Sequence, residues 1–320
     1  MKVTEIIEKA IQENKTRFAF ELLPPLKGET IGTIFSTVDS LVEFDPAYIN
    51  VTNHREDVKY VEKAEGLLER RIVRKRPGTV GISAAIMARY GVEAVPHIIA
   101  GGSSKYDIEE ALIEMDFLGI QNVLALRGDA MHGEQRFVPH SDGYEYAWQV
   151  VRHISEMNQG KYIDSEIENC HPTNFSIGVA GYPEKHAQAP NITTDIQHLK
   201  KKTECGAQYV VTQMFFDNAK YFAFVEDCRK AGITVPIIPG LKPFSTRTQL
   251  SMLPQIFHVD LPEDLVAAVN ACKSNDEIRA AGVEWTIAQA KELKKAGVPV
   301  LHFYTMGRSD NMVKIAKELF

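Results

Sequence analysis

The chain has 320 residues, 44% of them hydrophobic, and a formal net charge of −6. That is enough apolar material for a large core, and the length fits one α/β barrel or two smaller domains. The negative balance argues against a nucleic-acid-binding face. Its local exception, the basic run RRIVRKR at 70–76, reads as a solvated helix end.

In chain order, residues 1–15 carry an amphipathic, charged helix pattern without the apolar segment of a secretory signal. The run RFAFELL at 17–23 reads as a buried strand that stops at Pro24-Pro25, where no ladder donor remains. Glu21 sits inside it, although glutamate is seldom buried without a partner. Seven more β-rich runs follow, at 47–52, 94–100, 122–128, 175–182, 209–215, 235–241 and 300–306. Helical patterns separate them, such as 107–120 and 194–207, and several end at a glycine: Gly119, Gly206, Gly232 and Gly297. The strands are apolar runs rather than alternations, which suits parallel strands covered on both faces.

Eight strand–helix units in succession predict a single-domain (β/α)8 barrel over residues 1–320, with an N-terminal helix. A doubly wound sheet fits less well because it usually has fewer strands. Residues 158–174 look like a loop insertion, and 246–295 hold more helix than one barrel unit needs before the last strand. No window approaches 18 uninterrupted apolar residues, so no membrane span is expected. The cysteines, Cys170, Cys205, Cys228 and Cys272, form no C-x-x-C pair. Reduced thiols in a cytoplasmic protein are the simplest reading.

A barrel places its chemistry at the C-terminal ends of the strands. Polar residues gather there: Glu21, then Thr52-Asn53-His54, His97, Arg127-Gly128-Asp129, Tyr182 to His186, Gln213, Lys242, Tyr304 and Arg308. Each has a plain structural reading. Glu21 could be a rim acid paired with a base, His97 a core histidine bonded to a carbonyl, and Arg127 and Asp129 each other's partners. Only their shared position raises them together. No G-x-G-x-x-G, Walker A or G-x-S-x-G motif is present, and no Ser or Cys sits beside a base. The pattern suits acid/base or cofactor chemistry more than metal-assisted hydrolysis.

The segments FAFELLPP, VPHIIA, NVLALRGD, GVAGYPEKH, TQMFFD, IIPGLKP and LHFYTMGR, in this order, resemble the landmarks of the methylenetetrahydrofolate reductase family. The likeness runs from about residue 17 to 318, and the length resembles that of the bacterial catalytic barrel. It implies a cytoplasmic homo-oligomer that reduces 5,10-methylenetetrahydrofolate with NADH or NADPH through non-covalent FAD, without nucleic-acid or membrane partners. Carried over by motif, the FAD contacts would be His97, Arg127, Gly128, Asp129, Tyr146, Ala147, Tyr182, His186, Ala189, Asp195 and Lys202. Folate would lie near Glu21, Asp129, Gln213, Gln249 and Arg308, with Thr52 and Gln213 facing the nicotinamide.

Glu21 would then be the general acid at folate N10, and Asp129 would steady the iminium cation at N5. Phe20, Leu22 and the prolines would give Glu21 a half-apolar setting, which disfavours a bare carboxylate. The chain departs from the family pattern at Asn53-His54-Arg55, at His198 in place of an Asn, and at Leu253 in place of an aromatic. Phe244 or Phe257 could replace that aromatic. Rival readings are a folate-binding barrel that transfers a methyl group without flavin, and a non-catalytic folate or flavin binder.

Overall fold

Eight parallel strands close into a barrel in the computed structural model, which describes residues 1–131, 134, 136–305 and 309–320. The first half of the chain runs α1 (Val3–Gln12), β1 (Arg17–Leu22), α2 (Gly32–Asp39), β2 (Tyr48–Val51), β3 (Asp57–Glu62), β4 (Leu68–Val73), α3 (Thr79–Tyr90), β5 (Ala94–Ile99), α4 (Lys105–Phe117), β6 (Asn122–Leu126) and α5 (Ala147–Met157). The second half runs β7 (Ser176–Gly181), α6 (Ile192–Glu204), β8 (Tyr209–Met214), α7 (Asn218–Lys230), β9 (Ile237–Leu241), α8 (Gln249–Phe257), α9 (Glu263–Ala271), α10 (Asn275–Lys295), β10 (Val300–Tyr304) and α11 (Asp310–Leu319). Around the barrel the order is β1-β10-β9-β8-β7-β6-β5-β2, which closes on β1.

Strand alternation builds two cores. On β1, Phe18, Phe20 and Leu22 face the helices. Ala19 faces inward, against Tyr48, Val95, Leu124, Tyr209, Val211, Ile238 and Val300. The amphipathic α1 adds Val3, Ile6 and Ile7 to this inner cluster, so it plugs the N-terminal mouth of the barrel. Its Val3 N–H donates to Asn122 Oδ1 at 2.7 Å. Gly178 makes room for a buried tyrosine, since a Cβ there would stand 2.4 Å from the Tyr209 ring.

All eight barrel strands lie within the runs read from the sequence, and the (β/α)8 expectation is borne out. The segment after α5 is an irregular excursion, pinned where the Asn158 side chain bonds Phe175 N–H and C=O and the Thr173 hydroxyl. Helices α8, α9 and α10 supply the additional helix, and they help enclose a third core around Phe244, Leu253 and Leu265.

One expectation fails. Residues 70–76 are not a helix end: 68–73 form β4, paired antiparallel with β3 in a hairpin between β2 and α3. The β-branched pair Ile72-Val73 favours extended chain. The charges remain solvated, and Arg71 and Lys63 both pair with Glu69 along the hairpin.

Candidate active site

A cavity of about 940 Å³ opens at the C-terminal ends of the barrel strands. Its wall contains Glu21, Thr52, His97, Arg127, Gly128, Asp129, Tyr146, Ala147, Tyr182, His186, Ala189, Asp195, Lys202 and Gln213. These are the residues carried over from the resemblance, with two exceptions. Gln249 is not on the wall: its Oε1 accepts the Ser245 N–H at 2.8 Å, which holds the side chain at the start of α8. Arg308 lies outside the described residues. Two other polar residues read at strand ends also turn away. Lys242 is buried, with Nζ directed to Pro243 O, and Glu184 accepts the Asp260 N–H at 2.7 Å.

Glu21 shares the inward face of β1 with Ala19 and lies in register with Asn50 on β2 and Tyr304 on β10. Its Oε2 stands 3.7 Å from His97 Nε2 and 3.9 Å from His302 Nε2. This corrects the half-apolar setting expected from Phe20 and Leu22. Those neighbours point outward because adjacent residues of a strand alternate faces, and the neighbours that count are imidazoles. Burial lowers the His97 pKa to about 4; the Glu21 carboxylate opposes this, and His302 and His54 add to it. His97 is therefore neutral at pH 7. Its Nε2 has no hydrogen-bond partner among the described residues, so it is not the carbonyl-bonded core histidine of the plain reading. His302 is fully buried, both ring nitrogens are likewise unpartnered, and its ring meets Tyr304 edge-on at 5.1 Å.

No ion pair joins Arg127 to Asp129. Gly128, at φ +86°, turns the backbone between them. The Arg127 guanidinium instead lies 4.8 Å from the Phe137 ring centre. Across from Glu21, on the β6–β7 side, cations gather. Lys202 is half-buried with Nζ donating to Ala180 O at 2.6 Å, and desolvation there lowers its pKa to about 8. Asp195 opposes that shift and Arg127 adds to it. His186 is lowered to about 4 by burial and by Arg127, Lys202 and Lys185. The His186 backbone N–H donates to Asp195 Oδ2 at 3.0 Å. Burial lifts the Tyr182 phenol, whose ring stands edge-on to His186 at 4.7 Å.

Trp148 on the wall escaped the sequence reading, and His198 was named there only as a departure from the family pattern. Tyr146 stacks on His198 at 6.0 Å and on Trp148 at 6.3 Å, which makes an aromatic platform at the rim. A signal for His198 was present: positions 195, 198 and 202 recur at helical spacing and share one face of α6. Phe257 lines the cavity, whereas Phe244 and Leu253 are buried in the third core, so Phe257 is the available aromatic. Asn53, His54 and Arg55, where the family pattern breaks, are also on the wall.

These groups suit a large ligand with a flat ring and a phosphate-bearing tail. The volume is at the upper end for small-molecule sites. Arg127 and Lys202 line the cavity with no carboxylate within 4 Å among the described residues, and His97 Nε2 is buried without a hydrogen-bond partner. An anion bound beside them would satisfy the first two.

Comparison with known proteins agrees. A family model described as methylenetetrahydrofolate reductase matches residues 6–320. The chain is 30% identical over 333 residues to methylenetetrahydrofolate reductase (NADH) 1 of Arabidopsis thaliana, covering 100% of this chain and 51% of the plant protein. It is 28% identical over 311 residues to 5,10-methylenetetrahydrofolate reductase of Pectobacterium carotovorum, covering 96% of this chain and 91% of that one. The chain thus spans about half the length of its plant relatives and most of the bacterial one. Among solved structures, an uncharacterized protein from Clostridium thermocellum that binds two copies of 5-methyl-5,6,7,8-tetrahydrofolic acid shares the fold, with TM-score 0.56, 13% identity and 98% of both chains covered. Matched by the family model almost from end to end, this chain belongs to the methylenetetrahydrofolate reductase family.

Proposed function

We propose that this chain is a single catalytic barrel that reduces 5,10-methylenetetrahydrofolate to 5-methyltetrahydrofolate, with NADH or NADPH as electron source and non-covalent FAD as cofactor. The observation that carries the reading is convergence. Residues from six strand ends that match the family motifs line one cavity, with Glu21 on one side and Arg127 and Lys202 on the other. The folate-binding relative in the same fold fits this reading.

Held in this cavity, FAD would supply the hydride-transfer chemistry between the reduced nicotinamide and the one-carbon unit of the folate. The rest falls to the chain. Arg127 and Lys202 hold the diphosphate, and the Tyr146–His198 platform supports a flat ring. Gln213 folds its Oε1 onto the Met214 N–H at 2.9 Å, which leaves its NH2 free to donate to a ligand amide. Thr52 lies beside His54, with Oγ1 to Nε2 at 3.3 Å, and borders the position for the nicotinamide. Glu21 carries the proton that N10 takes up as the methylene bridge opens, which leaves an iminium cation at N5. Asp129, with no cation paired to its carboxylate among the described residues, offers that cation a counter-charge. Arg308 follows β10 and would meet the folate carboxylates.

An absorption spectrum of the purified protein tests the reading. A flavin band that boiling releases into the supernatant, together with folate-dependent reoxidation after anaerobic reduction, is the expected result. A colourless protein that takes up no FAD yet binds methyltetrahydrofolate would overturn it and favour methyl transfer.

A further inference from the structure

The β3–β4 hairpin is the element that the strand reading did not foresee, and the charges on it and at its foot divide into paired and unpaired ones. Arg71 and Lys63 stand 2.7 and 3.0 Å from Glu69, Arg74 stands 2.8 Å from Glu56, and Lys75 pairs with Asp57. Three guanidiniums, by contrast, have only uncharged partners among the described residues. Arg55 Nη1 reaches Asp129 O at 3.3 Å, its guanidinium lies 5.9 Å from the Phe137 ring centre, and its buried Nε has no partner. Arg70 touches only the Met131 thioether at 3.6 Å, and Arg76 bonds Pro24 O. Asp129, Met131 and Phe137 all line the cavity, as do Arg55 and Arg76 themselves. These three unneutralised guanidiniums therefore lie on the cavity wall or against it, beside the paired Glu56, Asp57 and Lys75, whereas Lys59 on β3 is exposed and not part of the wall.

The base of the hairpin is seated firmly. Gly102, at φ +78°, lets the Glu56 carboxylate approach so closely that a Cβ there would lie 2.7 Å from Oε2. Gly101 likewise admits the Arg55 stem, 3.5 Å from its own hypothetical Cβ. Arg70 stands three residues above Val73, about 10 Å at the usual strand rise, while Arg55 and Arg76 mark the foot. Cations set out over such a length suit an extended chain with two or more negative charges better than one compact ion. A guanidinium fork matches phosphate and carboxylate oxygens equally.

We propose that Arg55, Arg70 and Arg76 form a rim subsite for the anionic tail of a co-substrate whose ring lies in the cavity. This rests on the reductase reading, and two tails share the chemistry: the diphosphate of the nicotinamide dinucleotide and the glutamyl carboxylates of folate. Both ligands would enter past the same rim.

The test uses the flavin-loaded protein and two tail fragments as probes, ADP-ribose and p-aminobenzoylglutamate, titrated calorimetrically at about 0.05 M and 0.3 M salt. In the triple variant Arg55→Gln, Arg70→Gln, Arg76→Gln, the affinity for at least one probe should fall about tenfold or more at low salt, the effect of one lost charge-assisted bond. The salt dependence should flatten. Loss confined to ADP-ribose assigns the site to the diphosphate, and loss confined to p-aminobenzoylglutamate assigns it to the carboxylates. Arg71→Gln, whose parent cation is already paired with Glu69, should bind both probes like the parent, and the triple variant Arg55→Lys, Arg70→Lys, Arg76→Lys should keep part of the affinity that the Gln variant loses. Unchanged affinity for both probes, or loss of flavin alone, overturns the subsite. A parent protein that takes up no flavin yet loses probe affinity in the triple variant would overturn the reductase reading and keep the subsite.

Discussion

Replacing Glu21 by Gln separates its chemistry from its place in the fold. Among the described residues its carboxylate makes no hydrogen bond, and the His97 and His302 imidazoles stand at 3.7 and 3.9 Å. Gln has the same shape and breaks no bond of the folded protein, so the melting temperature should hold within the range of a benign substitution, about 0.5 kcal/mol. Flavin reduction by NADH or NADPH needs no general acid at N10. Its rate should stay within about tenfold, or 1.4 kcal/mol of barrier. Reoxidation by methylenetetrahydrofolate needs the proton and should slow by at least about 10², the lower end for general acid catalysis. Anaerobic stopped-flow absorbance at the flavin band reads both halves on one sample. Equal slowing of the two halves would show that Glu21 positions the flavin. No slowing of either would show that it is structural, and the acid role would be lost.

The remaining predictions concern other walls of the barrel. Asp129→Asn should retain flavin but slow folate-driven reoxidation, by up to about 3 kcal/mol of barrier for loss of one electrostatic partner; unchanged turnover would make the aspartate structural. Gly178→Ala should destabilise by about 1–3 kcal/mol, because the new Cβ would meet the fully buried Tyr209 ring at 2.4 Å; a urea midpoint equal to the parent's would contradict that packing. Burial lifts Glu184 to about 7 from its ordinary 4.5; the Asp260 N–H and Lys220 oppose this, and the Asp260 carboxylate adds to it. Between those values the unfolded chain releases this proton while the folded chain keeps it, so the carboxyl's contribution to stability falls as pH rises through the window. Glu184→Gln should flatten that fall in urea midpoints taken at about pH 5 and pH 7.5; parallel pH slopes in variant and parent would rule the effect out.

What could be read from the chain follows from physical range. The eight barrel strands were visible because strands covered on both faces must be apolar along their whole length, and α1 because a plug needs one apolar stripe. The hairpin was not, because β3 and β4 bury little, so charge spread over 57–76 concealed the pairing. Most of the proposed site was legible once a barrel was inferred, since that topology alone directs chemistry to the strand ends. Its inner neighbourhood was legible only in part. Alternation on β10 puts His302 and Tyr304 on one face, and alternation on β1 does the same for Ala19 and Glu21. That these faces meet depends on the register of β1 against β10, Glu21 opposite Tyr304, which joins the first strand of the chain to the last. Register over that separation is set by closure of the whole barrel and by no local signal. The same closure decides what Glu21 does. Phe20 and Leu22, its neighbours in sequence, face the helices, while its neighbours in space come from β5 and β10. A carboxylate in an apolar run is thus not a buried charge within a hydrophobic core. It is an inward position on a strand whose apolar residues serve the other face.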